Sequence, residues 1–268
     1  MPVRRIESLI KGLETLRAFS DNPEGLRLPE VTKLTGLPKA TAYRFLQTLL
    51  DQNYLYYLPG SGTFRLGPKV MSLGFAALLS LDIADLARPY LEELSRRINQ
   101  NVNLGTLDGV EVVYLVRIKV RSILGINLTV GSRISAYNSA IGKALLAYLS
   151  RDKLQAIIDN ISRDPVVASR IGGNGRILKR QLSVVRKQGY ALSDGEFVRG
   201  LASIAVPVRN ANGSVEGAIN VPVFAGLCSL KELTEVDLPL LLETSKTISQ
   251  LRGYEEGQKP KEGEYYLA

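Results

Sequence analysis

The chain has 268 residues, 45% of them hydrophobic and 22% charged, with a formal net charge of +8. That is an ordinary globular balance, long enough for one small and one larger domain. It contains no histidine, which excludes histidine-based zinc sites, Ser-His-Asp and Cys-His hydrolases and imidazole acid–base pairs, and no metal or cofactor is expected. The single cysteine, Cys228, cannot close an internal disulfide and reads as a small buried hydrophobe. No apolar run approaches the ~18 residues that span a membrane. The amino terminus lacks a signal-peptide core, so a cytoplasmic protein with no membrane partner is expected.

In chain order, the first helix is expected from about Arg5 to Phe19. Ile6, Leu9, Ile10, Leu13 and Leu16 share one face at helical spacing and are expected to pack beneath the next two helices. Pro29 suits a helix start, Val31 and Leu34 lie three apart, and Gly36 supplies the left-handed residue that closes a helix ending at Thr35. The next helix opens near Pro38. Its residues Ala42, Phe45, Leu46, Leu49 and Leu50 form a single apolar stripe, and Asn53 closes it. The opposite face carries Ala40, Arg44 and Gln47, flanked by Lys39, Thr41, Tyr43 and Thr48. Arg and Gln can hold guanine and adenine bidentately, and Thr can meet a thymine methyl or a phosphate. Tyr54–Leu58 and Thr63–Leu66 read as strands joined by the Pro59-Gly60-Ser61-Gly62 turn.

Helix, Gly turn, helix and ribbon describe a winged helix-turn-helix, an element that enters the major groove of double-stranded DNA. Residues 1 to 80 hold ten basic side chains against six acidic ones, which favours a polyanionic partner without specifying sequence. The same pattern also describes a small helical subdomain whose polar face meets water.

Beyond Gly67-Pro68 a helix is expected from Lys69 to Ser80 with apolar residues nearly all round: Val70, Met71, Leu73, Phe75, Ala77, Leu78 and Leu79. Such a helix must bury several faces, as a connecting and dimer-forming element or as a plain core helix. Asp82 caps the next, whose stripe is Ile83, Leu86, Tyr90, Leu91, Leu94 and Ile98. Strands are expected at Val102–Leu107 and Glu111–Ile118 around Asp108-Gly109, a hairpin signal, with a third at Ile123–Val130. Ser139–Leu149 and Asp152–Ile161 read as helices, Gly172 to Gly175 as a flexible loop, and a long helix ends near Gly189. Ala202–Val208 and Val215–Val221 form a last strand pair, and a helix runs from Asp237 to Leu251. Strands in one sheet with helices over it make an α+β domain, the shape of many small-molecule sensors. From Tyr254 the tail mixes Glu, Lys, Gly and Pro and is expected to be disordered.

Four blocks, in order, carry a family resemblance. They are Gly36-Leu37-Pro38-Lys39-Ala40-Thr41-Ala42-Tyr43-Arg44-Phe45-Leu46-Gln47-Thr48-Leu49, Leu66-Gly67-Pro68-Lys69-Val70 through Leu73-Gly74, Gly131-Ser132-Arg133 with Ser139 to Ala147, and Gly189-Tyr190-Ala191 with Glu196, Gly200-Leu201 and Ile204 to Val208. From Ile6 to Gly253 the chain resembles an IclR-type transcriptional regulator. The resemblance implies a winged helix-turn-helix DNA-binding domain at 1–67, a linker and dimerisation helix at 68–81, a GAF-like effector-binding domain at 82–253 and a tail at 254–268. It further implies a homodimer or dimer of dimers whose operator binding responds to a small organic acid.

The resemblance also proposes effector-binding residues: Asn138, Ser139, Ala140 and Ile141, then Ser193, Asp194 and Glu196, then Ser203, Asn220 and Pro222. Their hydroxyls, amides and backbone N–H groups at a helix start suit a carboxylate. Ser139 is equally an ordinary N-cap. Lys143 is expected to be structural, and Arg117 and Arg121 are candidate counter-charges. Ser135, Tyr137 and Asn138 stand where relatives carry Pro, His and Ala, so the effector does not transfer with the family. An alternative from another class is an enzyme acting on a small acid, with Asp194 and Glu196 as a carboxylate pair, fused to a nucleic-acid-binding module. The absence of histidine and of a metal-ligand cluster argues against it.

Overall fold

A computed structural model describes residues 5–73, 83–120, 128–224, 226 and 230–255. The chain divides into two compact units, Met1–Leu81 and Asp82–Ala268. Residues 74–80 of the expected linker helix, the Asp82 cap, residues 123–127 of the expected third strand, Arg121, Cys228 and the tail from residue 256 lie outside the described residues.

In the first unit, α1 (Glu7–Arg17), α2 (Leu28–Thr35) and α3 (Lys39–Asp51) precede a hairpin of β1 (Leu55–Leu58) and β2 (Thr63–Leu66). Glu30 reaches back to accept the Arg27 backbone N–H at 2.6 Å, satisfying one of the donors a helix start leaves unpaired. Gly36 closes α2 at φ 68°, and Asn53 takes the left-handed region at φ 60° just beyond α3. Val31, Ala42, Leu46, Leu55, Phe64 and Phe19 form the core. The wing is tied to the helices by reciprocal backbone bonds between Leu26 and Phe64, at 2.9 and 2.8 Å.

The α1 stripe departs from expectation in part: Leu16 packs against the core, but the stripe's other end does not. Ile6, Leu9 and Leu13 are 65%, 58% and 58% exposed, while Thr15 and Phe19 point inward. Periodicity shows which residues share a face, not which face meets the core. A helical stretch begins at residue 68 and is described to residue 73, with Met71 and Leu73 exposed.

The second unit is built on a six-stranded antiparallel sheet, in the order β5-β4-β3-β8-β7-β6. Its strands are β3 (Val102–Asp108), β4 (Glu111–Ile118), β5 (Arg133–Ser135), β6 (Ala191–Asp194), β7 (Leu201–Arg209) and β8 (Val215–Phe224). Helices α4 (Ile83–Ile98) and α9 (Leu238–Leu251) contact each other and strands β3, β4 and β7. The other set is α5 (Ala140–Leu146), α6 (Arg151–Ile161), α7 (Pro165–Ile171) and α8 (Arg176–Gln188), whose buried residues share a core with Val112, Tyr114, Ala205 and Ala218. On β8, Gly217 abuts Ile83 of α4 while Ala218 joins the α5–α8 core. Successive strand residues face opposite ways, so the two helix sets cover opposite faces.

Three elements differ from the sequence reading. Residues 128–131 are not strand, and the edge strand is the shorter β5. Helix α7, capped by Asp164 accepting the Val166 N–H at 2.8 Å, lies between Ile161 and Gly172, where the sequence reading assigns no element. Short β6 forms the other edge of the sheet. Ahead of α9, a helical turn at Leu230–Glu232 passes into a π-helical turn at Leu233–Asp237.

Candidate functional site

Two surfaces carry chemistry. On α3, burial of Ala42 and Leu46 fixes the helix rotation and turns the polar face outward. Lys39, Ala40, Tyr43, Arg44 and Thr48 are exposed, and Thr41 and Gln47 are half-buried. Thr48 Oγ1 donates to the Arg44 carbonyl at 2.9 Å. Ala40, Arg44 and Gln47 thus form one row, with Arg44 making no ion pair among the described residues. Cationic and amide donors on an exposed helix beside a β-ribbon are groups of the kind that can bond base edges and phosphates.

The second surface is a narrow cavity of about 30 Å³ between the sheet and the start of α5. The floor is set by strand register: Ala205, Asn220, Asn103 and Arg117 pair in one row across β7, β8, β3 and β4. Side chains in such a row project to the same face. Asn220 Nδ2 donates to Ser203 Oγ at 3.0 Å, and Asn103 Nδ2 donates to Asn220 Oδ1 at 3.1 Å. The apolar wall is Tyr114, Leu128, Ile134, Ile141, Phe197, Leu201 and Pro222. Helix α5 comes this close because residue 142 is glycine: a Cβ there would lie 2.1 Å from the Ala136 carbonyl oxygen.

The cavity's electrostatics centre on Arg117. Its Nε is buried with no hydrogen-bond partner, and its Cζ lies 5.0 Å from the Tyr114 ring centroid. Burial pushes the Arg117 pKa below its ordinary value, with Tyr114 opposing the shift, yet the guanidinium stays cationic. Tyr114 is pushed up to about 12, chiefly by burial and against the pull of Arg117, and stays a neutral phenol. Asn103, wholly buried, leaves its Oδ1 without a partner.

Of the effector residues named from sequence, Ser139, Ala140, Ile141, Ser193, Ser203, Asn220 and Pro222 line the cavity. Asn138, Asp194 and Glu196 do not. Asp194 is exposed because β6 alternates and turns Ser193 inward. Glu196 is taken by Lys143, whose buried Nζ donates to it at 2.5 Å. That pair ties α5 to the loop bearing Phe197. Asn138 offers its backbone carbonyl to Ser193 Oγ at 3.4 Å. The Ser139 hydroxyl accepts the Gly142 N–H at 3.2 Å and donates to the Ser135 carbonyl at 2.9 Å, so it is an N-cap. Cationic character therefore comes from Arg117 rather than from the seven-residue α5. Sequence reasoning misses Asn103 and Tyr114. The available signal is a lone amide in an apolar strand, Val102–Leu107.

A wider cleft between β7 and α9 carries Arg209, which donates to the Gly213 carbonyl at 2.9 Å and stacks 4.4 Å from the Tyr148 ring. Its cation is already committed. Among the described residues no group of His, Cys, Asp or Glu could hold a metal ion, and no helix is long and apolar enough to cross a membrane.

Comparison with known proteins matches both units. The IclR helix-turn-helix domain model matches residues 8–59, and the model of the bacterial transcriptional regulator IclR C-terminal domain matches residues 75–250. The chain belongs to the IclR family of transcriptional regulators. The Pca regulon regulatory protein of Pseudomonas putida is 34% identical over 252 residues, covering 90% of this chain and 82% of the relative. Among solved structures, an IclR family transcriptional regulator from Brucella abortus is 28% identical with a TM-score of 0.80, covering 93% of this chain and 94% of that one. An IclR homologue of Microbacterium hydrocarbonoxydans complexed with 4-hydroxybenzoate is 21% identical with a TM-score of 0.73, covering 91% of this chain and 98% of that one, and shows the shared fold. Family membership makes this chain a DNA-binding transcriptional regulator and not an enzyme.

Proposed function

We propose that this regulator reads its operator with Lys39, Ala40, Thr41, Tyr43, Arg44, Gln47 and Thr48, and that a small organic acid bound in the cavity of the second unit sets its operator affinity. The observation that carries the effector reading is Arg117, a half-buried cation that lines the cavity and whose Nε is buried with no hydrogen-bond partner. A buried donor left unpaired is costly, and a carboxylate entering the cavity would pair it with a charge-assisted hydrogen bond. The 4-hydroxybenzoate held by the Microbacterium homologue is an acid of that class. The exposed Leu9 and Leu13 on α1 and Ile6 at its N-cap, with Met71 and Leu73, suit a second copy of the chain. Two recognition helices then reach two half-sites.

Selection from a random duplex pool with the full-length regulator supplies the test. It should yield a two-fold-symmetric site, and Arg44→Ala should lower affinity for that site by at least tenfold while leaving unspecific binding nearly unchanged. Equal recovery of unrelated sequences by both proteins would overturn the assignment of the reading face.

A further inference from the structure

The cavity floor holds a second unpaired group beside the cation, and the two together specify more than a charge. Asn103 is wholly buried, and its amide nitrogen is committed to Asn220 Oδ1, whose own amide is committed to Ser203. This hydrogen-bonded row runs in one sense and ends on Asn103 Oδ1, an acceptor with no donor. Asn103 is the direct cross-strand partner of Arg117. Directly opposed residues have Cβ atoms about 4.5–5.5 Å apart. An unpaired acceptor and an unpaired cationic donor therefore stand side by side against the wall formed by Tyr114 and Ile141.

We infer that the effector is a hydroxy acid whose hydroxyl lies next to its carboxylate, the carboxylate accepting from Arg117 and the hydroxyl donating to Asn103 Oδ1. The inference rests on the reading of the cavity as the effector site and narrows it. A plain carboxylate satisfies Arg117 but leaves the buried Asn103 acceptor without a donor. A 2-oxo acid sets a carbonyl oxygen against that acceptor, oxygen to oxygen. A hydroxyl two bonds from the carboxyl carbon answers both groups at once. Selection arises because a polar group left unmatched in a closed site is costly.

Two probe series, matched in body and differing at one atom, test this by calorimetric titration of the full-length protein. One is lactate, propionate and pyruvate; the other is mandelate, phenylacetate and benzoylformate. In at least one series the hydroxy acid should bind about tenfold or more tightly than both its deoxy and its oxo partner. Asn103→Leu should reduce the hydroxy acid to the affinity of the deoxy acid, and Arg117→Gln should weaken every acid that binds. The wild-type comparison stands alone if either variant fails to fold.

A deoxy or oxo acid binding as well as the hydroxy acid, a preference that survives Asn103→Leu, or silence from both series would each overturn the inference. The broader reading has its own measure. An operator affinity that responds to any carboxylate, and stops responding in Arg117→Gln, keeps the cavity as the sensor even when the hydroxyl preference fails.

Discussion

Single residues do their work here through what they leave no room for. Gly142 lets α5 touch the Ala136 backbone; the cavity depends on that contact, because α5 supplies Ala140 and Ile141. Gly142→Ala should destabilise the second unit by about 3 kcal/mol or more, since the clash is with main chain rather than a flexible side chain. Chemical denaturation followed by circular dichroism would show it, and an unchanged midpoint would mean that α5 can shift freely. Lys143 makes a different point, being a buried ammonium whose partner is Glu196. Glu196→Gln should cost about 2 kcal/mol, less than a fully enclosed pair because Glu196 is partly exposed. Lys143→Met in the same background should recover most of that loss. Loss of acid binding without loss of stability in Glu196→Gln would instead place its carboxylate on the ligand.

At the scale of elements, what is legible in the sequence and what is hidden separate along local and non-local lines. Gly36, the Ala42–Leu46 stripe and the Pro59 to Gly62 turn are local signals, and the winged helix-turn-helix they imply is present. Asn103, Tyr114 and Arg117 meet only through cross-strand register with a shift at Leu104/Gly105, which no local pattern reports. The orientation of α1 escapes a local reading for a related reason: Leu9 and Leu13 are exposed within their own unit, and the proposed function covers them with a second copy of the chain. Leu9→Glu with Leu13→Glu should leave the monomer's helix content intact, both residues being exposed, yet shift sedimentation toward the monomer. An unchanged oligomer would exclude α1 from the interface.

The π-helical turn gives a pH signature at the same scale. Burial, and then Glu232 nearby, raise the Asp237 pKa from its ordinary 3.8 to about 6. The native state thus holds this proton more tightly than the unfolded chain. Its contribution is full below about pH 4 and is lost as pH rises through about 6. Asp237→Asn should remove that slope and raise the melting temperature at pH 7. A variant less stable than wild type at pH 7 would show that the ionised carboxylate is the form the turn requires.

For the whole molecule, the proposed function requires a reading face in one unit to answer to a ligand cavity in the other. A ligand shifts operator affinity only by as much as it distinguishes the DNA-competent from the incompetent state. The direct measurement is fluorescence anisotropy of a selected operator duplex, titrated with wild-type protein and with Arg117→Gln, each with and without a saturating acid ligand. The wild-type Kd should shift by about fivefold or more, in either direction. The ligand-free Kd of Arg117→Gln should match wild type and should not move when the acid is added. An operator affinity indifferent to every bound acid, or an equal shift in Arg117→Gln, would contradict control through the Arg117 cavity.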